Sequence, residues 1–258
     1  MKNENKILKI NLNGNQLKII AVICMILDHL GYFFVSKIPY ELYFALRCIG
    51  RIAMPIFLFL LVEGFYHTKD LKKYIIRILQ LAIITQVIII FFNYINTNYC
   101  ACKIKNLEQY NILFSFAMIL VVLRLIDRNI LKKVTKKNYI LDIVLRCIII
   151  FLIISVYFFV KIDYGICLSL MAIIIYYSKK LENKIDTFWL FFLQIVLMTI
   201  FSVIAVKNTI GVFASVSYLF ISLYNGKKGK KSKMISYMYY IIFPLQYLII
   251  YLLAIICI

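Results

Sequence analysis

The sequence predicts an all-α, polytopic integral membrane protein with about nine transmembrane helices (range about 8–10) and a cytoplasmic N-terminus. Three observations predict it. The 258 residues are 64% hydrophobic, with a mean hydropathy of +0.92. Apolar runs recur almost without pause, and each reaches or approaches the ~20 residues that carry a helix across a ~30 Å hydrocarbon core. Lysine and arginine concentrate in alternate connections between those runs. Backbone polar groups in hydrocarbon must be bonded inside their own segment, so the runs are read as helices rather than open strands.

The apolar segments fall at about 17–36, 48–66, 74–95, 110–126, 139–160, 164–178, 187–206, 210–223 and 234–257. The first carries Asp28-His29, an ionisable pair whose cost in hydrocarbon marks a site or a pathway. Bulky residues follow it instead of a small-x-small cleavage site, so it reads as a retained helix rather than a signal peptide. The second, Gly50–Thr68, holds Arg51, Glu63 and His67. Pro55 cannot donate its amide and displaces the carbonyl of Arg51, which predicts a kink beside that arginine. Glu63 and His67, four apart, share a helix face. Asn111 opens the fourth segment, and Lys161-Ile162-Asp163-Tyr164 forms a tight turn between the fifth and sixth. Tyr224-Asn225-Gly226-Lys227 ends the eighth. Each of these three polar stretches alone has the composition of an ordinary cap or turn. Pro244 bends the ninth segment by freeing the carbonyl of Tyr240, with Gln246 just after.

With the N-terminus inside, the cytoplasmic stretches and their flanks hold 22 of the 30 basic residues: four before and at Lys18, four from Lys69 to Arg77, six from Arg124 to Lys137, three from Lys179 to Lys184, and five from Lys227 to Lys233. The outer side has six, and Arg51 and Arg146 fall inside segments. That asymmetry follows the positive-inside rule. Most of the +19 net charge is therefore a topology signal, and no nucleic-acid partner is needed to explain it. Residues 1–16 read as a cytoplasmic tail and 17–258 as one multi-pass transmembrane domain, with no repeat, linker or soluble domain. The densest basic stretch, Lys227 to Lys233, suits anionic lipid or phosphate. The seven cysteines form no disulfide framework, and Cys100 with Cys102 is a weak metal signal. Gly-rich phosphate loops, Gly-x-Ser-x-Gly elbows and His-Glu-x-x-His helices are absent, so no metal is expected.

Spacing gives the first hint of a path. From Lys18 to His29, eleven helical steps return to within about 20° of the same face, about 16 Å further along the axis. Lys18 would sit at the cytoplasmic mouth and His29 near mid-membrane, which suits an extended ligand whose phosphates stay at the surface. Asp28 points about 100° away from His29 and cannot orient its ring directly. A carboxylate from another helix is better placed, and Glu63 is the expected partner.

These residues, in this order, resemble the TraX family of conjugative F-pilin acetylases. The resemblance runs through Leu17–Gly31, Ile49–Thr68, the tract at Tyr74 to Arg77, Asn111–Phe116, Asp163–Gly165, Tyr224–Gly229 and the Pro244 helix. More distantly it reaches membrane acyltransferase-3 proteins and lysosomal heparan glucosaminide N-acetyltransferase. In the acyltransferase-3 family a basic residue and a functional histidine have ten residues between them, as Lys18 and His29 do. One difference stands out: where the family commonly reads Phe-Tyr-Pro-x-His, this chain has Ile242-Phe243-Pro244-Leu245-Gln246.

The resemblance implies transfer of an acetyl group from cytoplasmic acetyl-CoA, as donor substrate, to the N-terminal amine of an exported pilin-like protein or peptide. His29 would act as general base or accept the acetyl group itself, with Glu63 as its charge partner and Asp28 in support. Lys18, His67, Asn225 and Lys227 would hold the donor. Arg51, able to polarise the thioester carbonyl, and Asp163 would face the acceptor. Two other readings are compatible with the residues. One is O-acetylation of a surface glycan. The other is a secondary transporter with Asp28, His29, Glu63 and Asp163 as a proton relay, although the paired halves usual in transporters are missing. A purely structural membrane protein would leave the Asp28-His29 pair without a purpose.

Overall fold

The computed structural model describes residues 11–98, 108–127, 139–181, 187–206, 209–229 and 233–256. Its helices are α1 (Gly14–Phe33), α2 (Tyr40–Gly50), α3 (Ala53–His67), α4 (Leu71–Asn98), α5 (Ile112–Ile126), α6 (Tyr139–Phe159), α7 (Gly165–Leu181), α8 (Thr187–Val206), a 3-10 segment (Thr209–Val216), α9 (Ser217–Ser222) and α10 (Lys233–Ile256). Among the described residues no strand forms beyond two isolated parallel bridges. Gly14–Phe33, Tyr40–His67 and Leu71–Asn98 are long and apolar enough to cross a membrane, and shorter apolar helices accompany them. Cys100, Cys102 and Lys230–Lys231 of the basic stretch lie outside the described residues.

Two boundaries move from their expected places. α1 starts at Gly14 rather than near residue 17 because Asn13 caps it. The Asn13 side chain accepts from the amides of Asn15 and Gln16, both at 3.1 Å, and Gln16 Oε1 accepts from the Asn13 amide at 2.9 Å. This reciprocal box satisfies donors that a helix start leaves orphaned. The second span starts at Tyr40 rather than residue 48. Glu41 and Arg47 hide its first turns from a hydropathy reading. Helix α2 ends at Gly50, residues Arg51 and Ile52 form a turn, and α3 begins at Ala53. Pro55 lies in the first turn of α3, where its missing amide releases the Arg51 carbonyl, so the expected kink is an actual break. The eighth segment is mostly 3-10, which climbs about 2.0 Å per residue, so 14 residues cover roughly 25 Å.

Two clips tie the connections down. At the Lys18 end of α1, the chain from Leu223 to Gly229 wraps the helix start: Leu12 N donates to Leu223 O at 2.8 Å, Asn225 N to Leu12 O at 2.9 Å and Gly14 N to Lys227 O at 2.8 Å. Gly229 adopts φ +90°, and a Cβ there would fall 2.6 Å from Asn13 Oδ1, so only glycine closes the wrap. At the His29 end, Tyr110 N donates to Lys161 O at 2.9 Å and Asp163 N to Tyr110 O at 3.0 Å. Asn111 caps α5 and donates to Ala82 O (3.0 Å) and Gln86 Oε1 (2.9 Å) of α4.

The core gathers around α3, whose Ile56 and Leu58 are fully buried. Ile56 packs on Leu17 and Ala21 of α1. Asp28 of α1 meets Arg51 at the start of α3, so the two helices run antiparallel in a fixed register. Glu63, twelve residues after Arg51, is therefore about 18 Å further along, toward the Lys18 end of α1.

Candidate functional site

The register sorts the polar residues into two centres at opposite ends of α1. The first is built on Asp28. Both its carboxylate oxygens accept from Arg51 Nη2, and Oδ2 also accepts from Arg47 Nη1 at 2.8 Å. Arg47 and Arg51 are four apart and face the same way across the end of α2. Gly50 makes the approach possible, because any Cβ there would occupy the space of the Asp28 side chain. Arg51 Nη1 donates to Tyr164 Oη at 2.8 Å. Tyr164 is held at φ 58°, a region that costs a non-glycine residue and is seen where surroundings over-determine the backbone. Beside it, Asp163 is bound through its backbone: its carbonyl accepts from Ser115 Oγ at 3.0 Å. Burial pushes the Asp163 carboxyl up to about 6, against the pull of Arg51.

His29 lies one residue from Asp28, on an adjoining face of α1. Its Nε2 is 3.5 Å from Tyr247 Oη of α10, and the two rings lie 4.9 Å apart. Phe33 closes another side, with its centroid at 6.2 Å. Tyr251, one turn after Tyr247, donates to Asn93 Oδ1 of α4 at 2.7 Å, so α10 is tied to both α1 and α4. Gln246 is 4% exposed, and its Nε2 donates to Met25 Sδ at 3.5 Å. Among the described residues, four buried side-chain atoms have no hydrogen-bond partner: His29 Nδ1, Arg51 Nε, Gln246 Oε1 and Thr85 Oγ1. Three of the four belong to this one centre. A buried polar atom left unbonded is costly, and a concentration of such atoms is unusual away from a functional site.

The second centre lies at the Lys18 end. Glu63 is buried and bonded to Lys179 of α7, with His67 Nε2 at 3.3 Å on its other oxygen. The expected pairing of Glu63 with His29 is therefore wrong. A helical separation of about 18 Å from Arg51 puts Glu63 at the far end, where it holds α3 to α7. Lys18 is close enough to Lys228 to feel its charge. Asn225 Oδ1 accepts from Lys227 N at 3.0 Å, shaping the turn that presents the basic loop. His67 is mostly exposed.

The structure thus brings Lys18, His67, Asn225 and Lys227 to one end with Glu63, and Asp28, His29, Arg51 and Asp163 to the other. His29 stands nearer the far end of α1 than its middle, fifteen residues past Gly14 in a helix that ends at Phe33. Four participants escaped the sequence reading. Arg47 had a usable signal in its i, i+4 spacing to Arg51. Lys179, Tyr164 as a ligand of Arg51, and Tyr247 are contacts made across more than 100 residues, and nothing local announces them.

A family model described as TraX protein matches residues 13–254. Over 77 residues the chain is 42% identical to a protein of Dichelobacter nodosus named "Probable fimbrial assembly protein FimC, serogroup H1"; the match covers 30% of this chain and 31% of that protein. The chain therefore spans about a third of the length of that curated relative. No solved structure matches.

Proposed function

The chain belongs to the TraX protein family, and from that premise we propose that it is a membrane-embedded acetyltransferase, moving an acetyl group from acetyl-CoA to the N-terminal amine of an exported pilin-like protein or peptide. The relative named as a fimbrial assembly protein supports a pilin-related acceptor. The observation that carries the chemistry is the pair of buried polar atoms flanking Asp28, a ring nitrogen of His29 (Nδ1) and a donor, Arg51 Nε.

Acyl transfer needs both. The amine nitrogen attacks the thioester carbonyl carbon and gives a proton to His29 Nδ1, whose lone pair is available when Nε2–H faces Tyr247 Oη. Negative charge gathers on the carbonyl oxygen, where the Arg51 Nε–H is a preorganised donor fixed by Asp28 and Tyr164. Collapse re-forms the carbonyl, breaks the C–S bond, and returns the proton from His29 to the departing CoA thiolate. One amide bond is made and one thioester broken. At the other end, Lys18, Lys227 and Asn225 suit the donor's phosphates, about 16 Å from His29 along α1.

The test is purification in detergent, followed by radiolabelled acetyl-CoA binding and CoA release with a peptide bearing a free N-terminus. Wild type is expected to bind acetyl-CoA and release CoA when peptide is added. His29→Ala should keep binding and lose release by a factor of about 10²–10⁴, the usual weight of a general base. Wild type that neither binds acetyl-CoA nor releases CoA ends this reading.

A further inference from the structure

Arg51 lies in the turn between α2 and α3, and its hydrogen bonds decide which way its remaining donor points. Both bonds to Asp28 leave from one nitrogen, Nη2. A planar guanidinium held at one nitrogen can still swing about that contact. A second anchor on another nitrogen fixes the plane, and with it the direction of every other N–H of the fork. That second anchor is Tyr164, whose Oη accepts from Nη1 at 2.8 Å. Among the described residues, Arg51 Nε alone of the three nitrogens has no partner.

Tyr164 holds this place at a cost. Its backbone takes φ 58°, and Gly165 follows at φ 49°. A Cβ at Gly165 would meet nothing within 4 Å, so backbone conformation alone accounts for that glycine. The same conformation is unfavourable for the tyrosine beside it. The turn is held from several sides. Asp163 N donates to Tyr110 O at 3.0 Å and Gly165 N to Ile162 O at 3.1 Å, while Ser115 Oγ donates to Asp163 O at 3.0 Å. The helix that begins there, α7, is fastened to α3 again near its other end, through Lys179 and Glu63. Tyr164 is therefore a fixed post beside α3. Its ring packs against the apolar core, as a phenylalanine would, and what the hydroxyl adds is the bond to Arg51.

We propose that Tyr164 is a positioning residue: its hydroxyl locks the Arg51 guanidinium so that Nε–H points at the thioester oxygen as that oxygen becomes negative. The inference rests on the acetyl-transfer reading above and says what aims the donor which that reading uses. Tyr164 gives and takes no proton in the reaction. The backbone strain at position 164 is the cost of holding a donor rigid before charge develops, which is how preorganised groups lower a barrier.

The experiment measures CoA release with a free N-terminal peptide, over a range of acetyl-CoA, for wild type, Tyr164→Phe, Arg51→Lys and the double variant. Phe keeps the ring, and Lys keeps a charge beside Asp28 without the Nε donor. Tyr164→Phe should lower kcat about ten-fold, the worth of one buried hydrogen bond, and leave the acetyl-CoA KM unchanged, because the aimed donor acts in the transition state. Arg51→Lys should lower kcat by about 10²–10³, the weight of an oxyanion donor. The double variant should fall no further than Arg51→Lys, since no donor is left to aim. If Tyr164→Phe does not purify as a monodisperse species, Tyr164→Met replaces it and should give the same loss. A wild-type kcat without the hydroxyl, a loss carried by KM, or a double variant that falls by the product of the two single losses overturns the inference and leaves the acetyltransferase reading standing. Wild type that releases no CoA overturns both.

Discussion

Arg51 reaches from the break between α2 and α3 to both carboxylate oxygens of Asp28. With Arg47 added at 2.8 Å, one carboxylate on α1 serves two guanidinium groups from the next span. The arrangement fixes the register of α1 on α3, and through it the separation of the two polar centres. Replacing Asp28 with Ala leaves two largely buried arginines without it, and breaking a buried pair typically costs about 3–5 kcal/mol. Thermal unfolding in detergent should show Asp28→Ala strongly destabilised and Asp28→Asn between it and wild type, because the amide oxygen still accepts one bond. Unchanged melting in Asp28→Ala would remove this pair from its structural role.

The same contact gives Gly50 a sharp prediction. A methyl group there overlaps the Asp28 side chain, so Gly50→Ala must either part α1 from α2 or drive Asp28 off its arginines. Overpacking of this kind costs about 1–3 kcal/mol, and the misaimed Arg51 should depress CoA release as well. A variant with wild-type melting and wild-type release would mean that the helices yield there at no cost.

Glu63 should behave as a strut. Glu63→Gln strips the charge from a buried carboxylate bonded to Lys179 and His67, and loss of such a charged partner costs about 1–3 kcal/mol. Replacing both sides, Glu63→Leu with Lys179→Met, should recover much of that loss, since apolar pairs often substitute for buried ion pairs without penalty. A double variant worse than the sum of the two single ones would show that the pair has work beyond joining α3 to α7.

Much of this was written in the chain. The Asp28-His29 dipeptide, the Pro55 break and the helical spans follow from local cost and periodicity, which are properties of a few neighbouring residues. The assignment of Glu63 to His29 failed because residue type alone does not fix register. Once Asp28 is known to meet Arg51, twelve residues of helix carry Glu63 to the opposite end. Tyr164 illustrates a second limit. Asp-Tyr-Gly reads as an ordinary turn, yet the tyrosine takes the left-handed backbone and reaches an arginine 113 residues earlier. Gln246 marks a third, since its meaning depends on a methionine and a histidine from the far end of the sequence.

Asp163 makes the centre sensitive to pH. Four charged groups meet around Arg51, the guanidinium groups of Arg47 and Arg51 against the carboxylates of Asp28 and Asp163, and they balance when Asp163 is ionised. Burial, its largest influence, raises the Asp163 carboxyl to about 6 from an ordinary 3.8, against the opposing pull of Arg51. A carboxyl raised on folding stabilises the fold fully below its unfolded value, and that contribution fades as pH climbs through the folded one. The part of stability owed to Asp163 should therefore decline between about pH 4 and pH 6. Asp163→Asn, neutral throughout, should lack that decline, so the melting difference between variant and wild type should move in the variant's favour as pH rises from 4 to 7. A pH-independent difference would mean that Asp163 titrates like an exposed carboxylate and leaves the charge of the Arg51 centre constant.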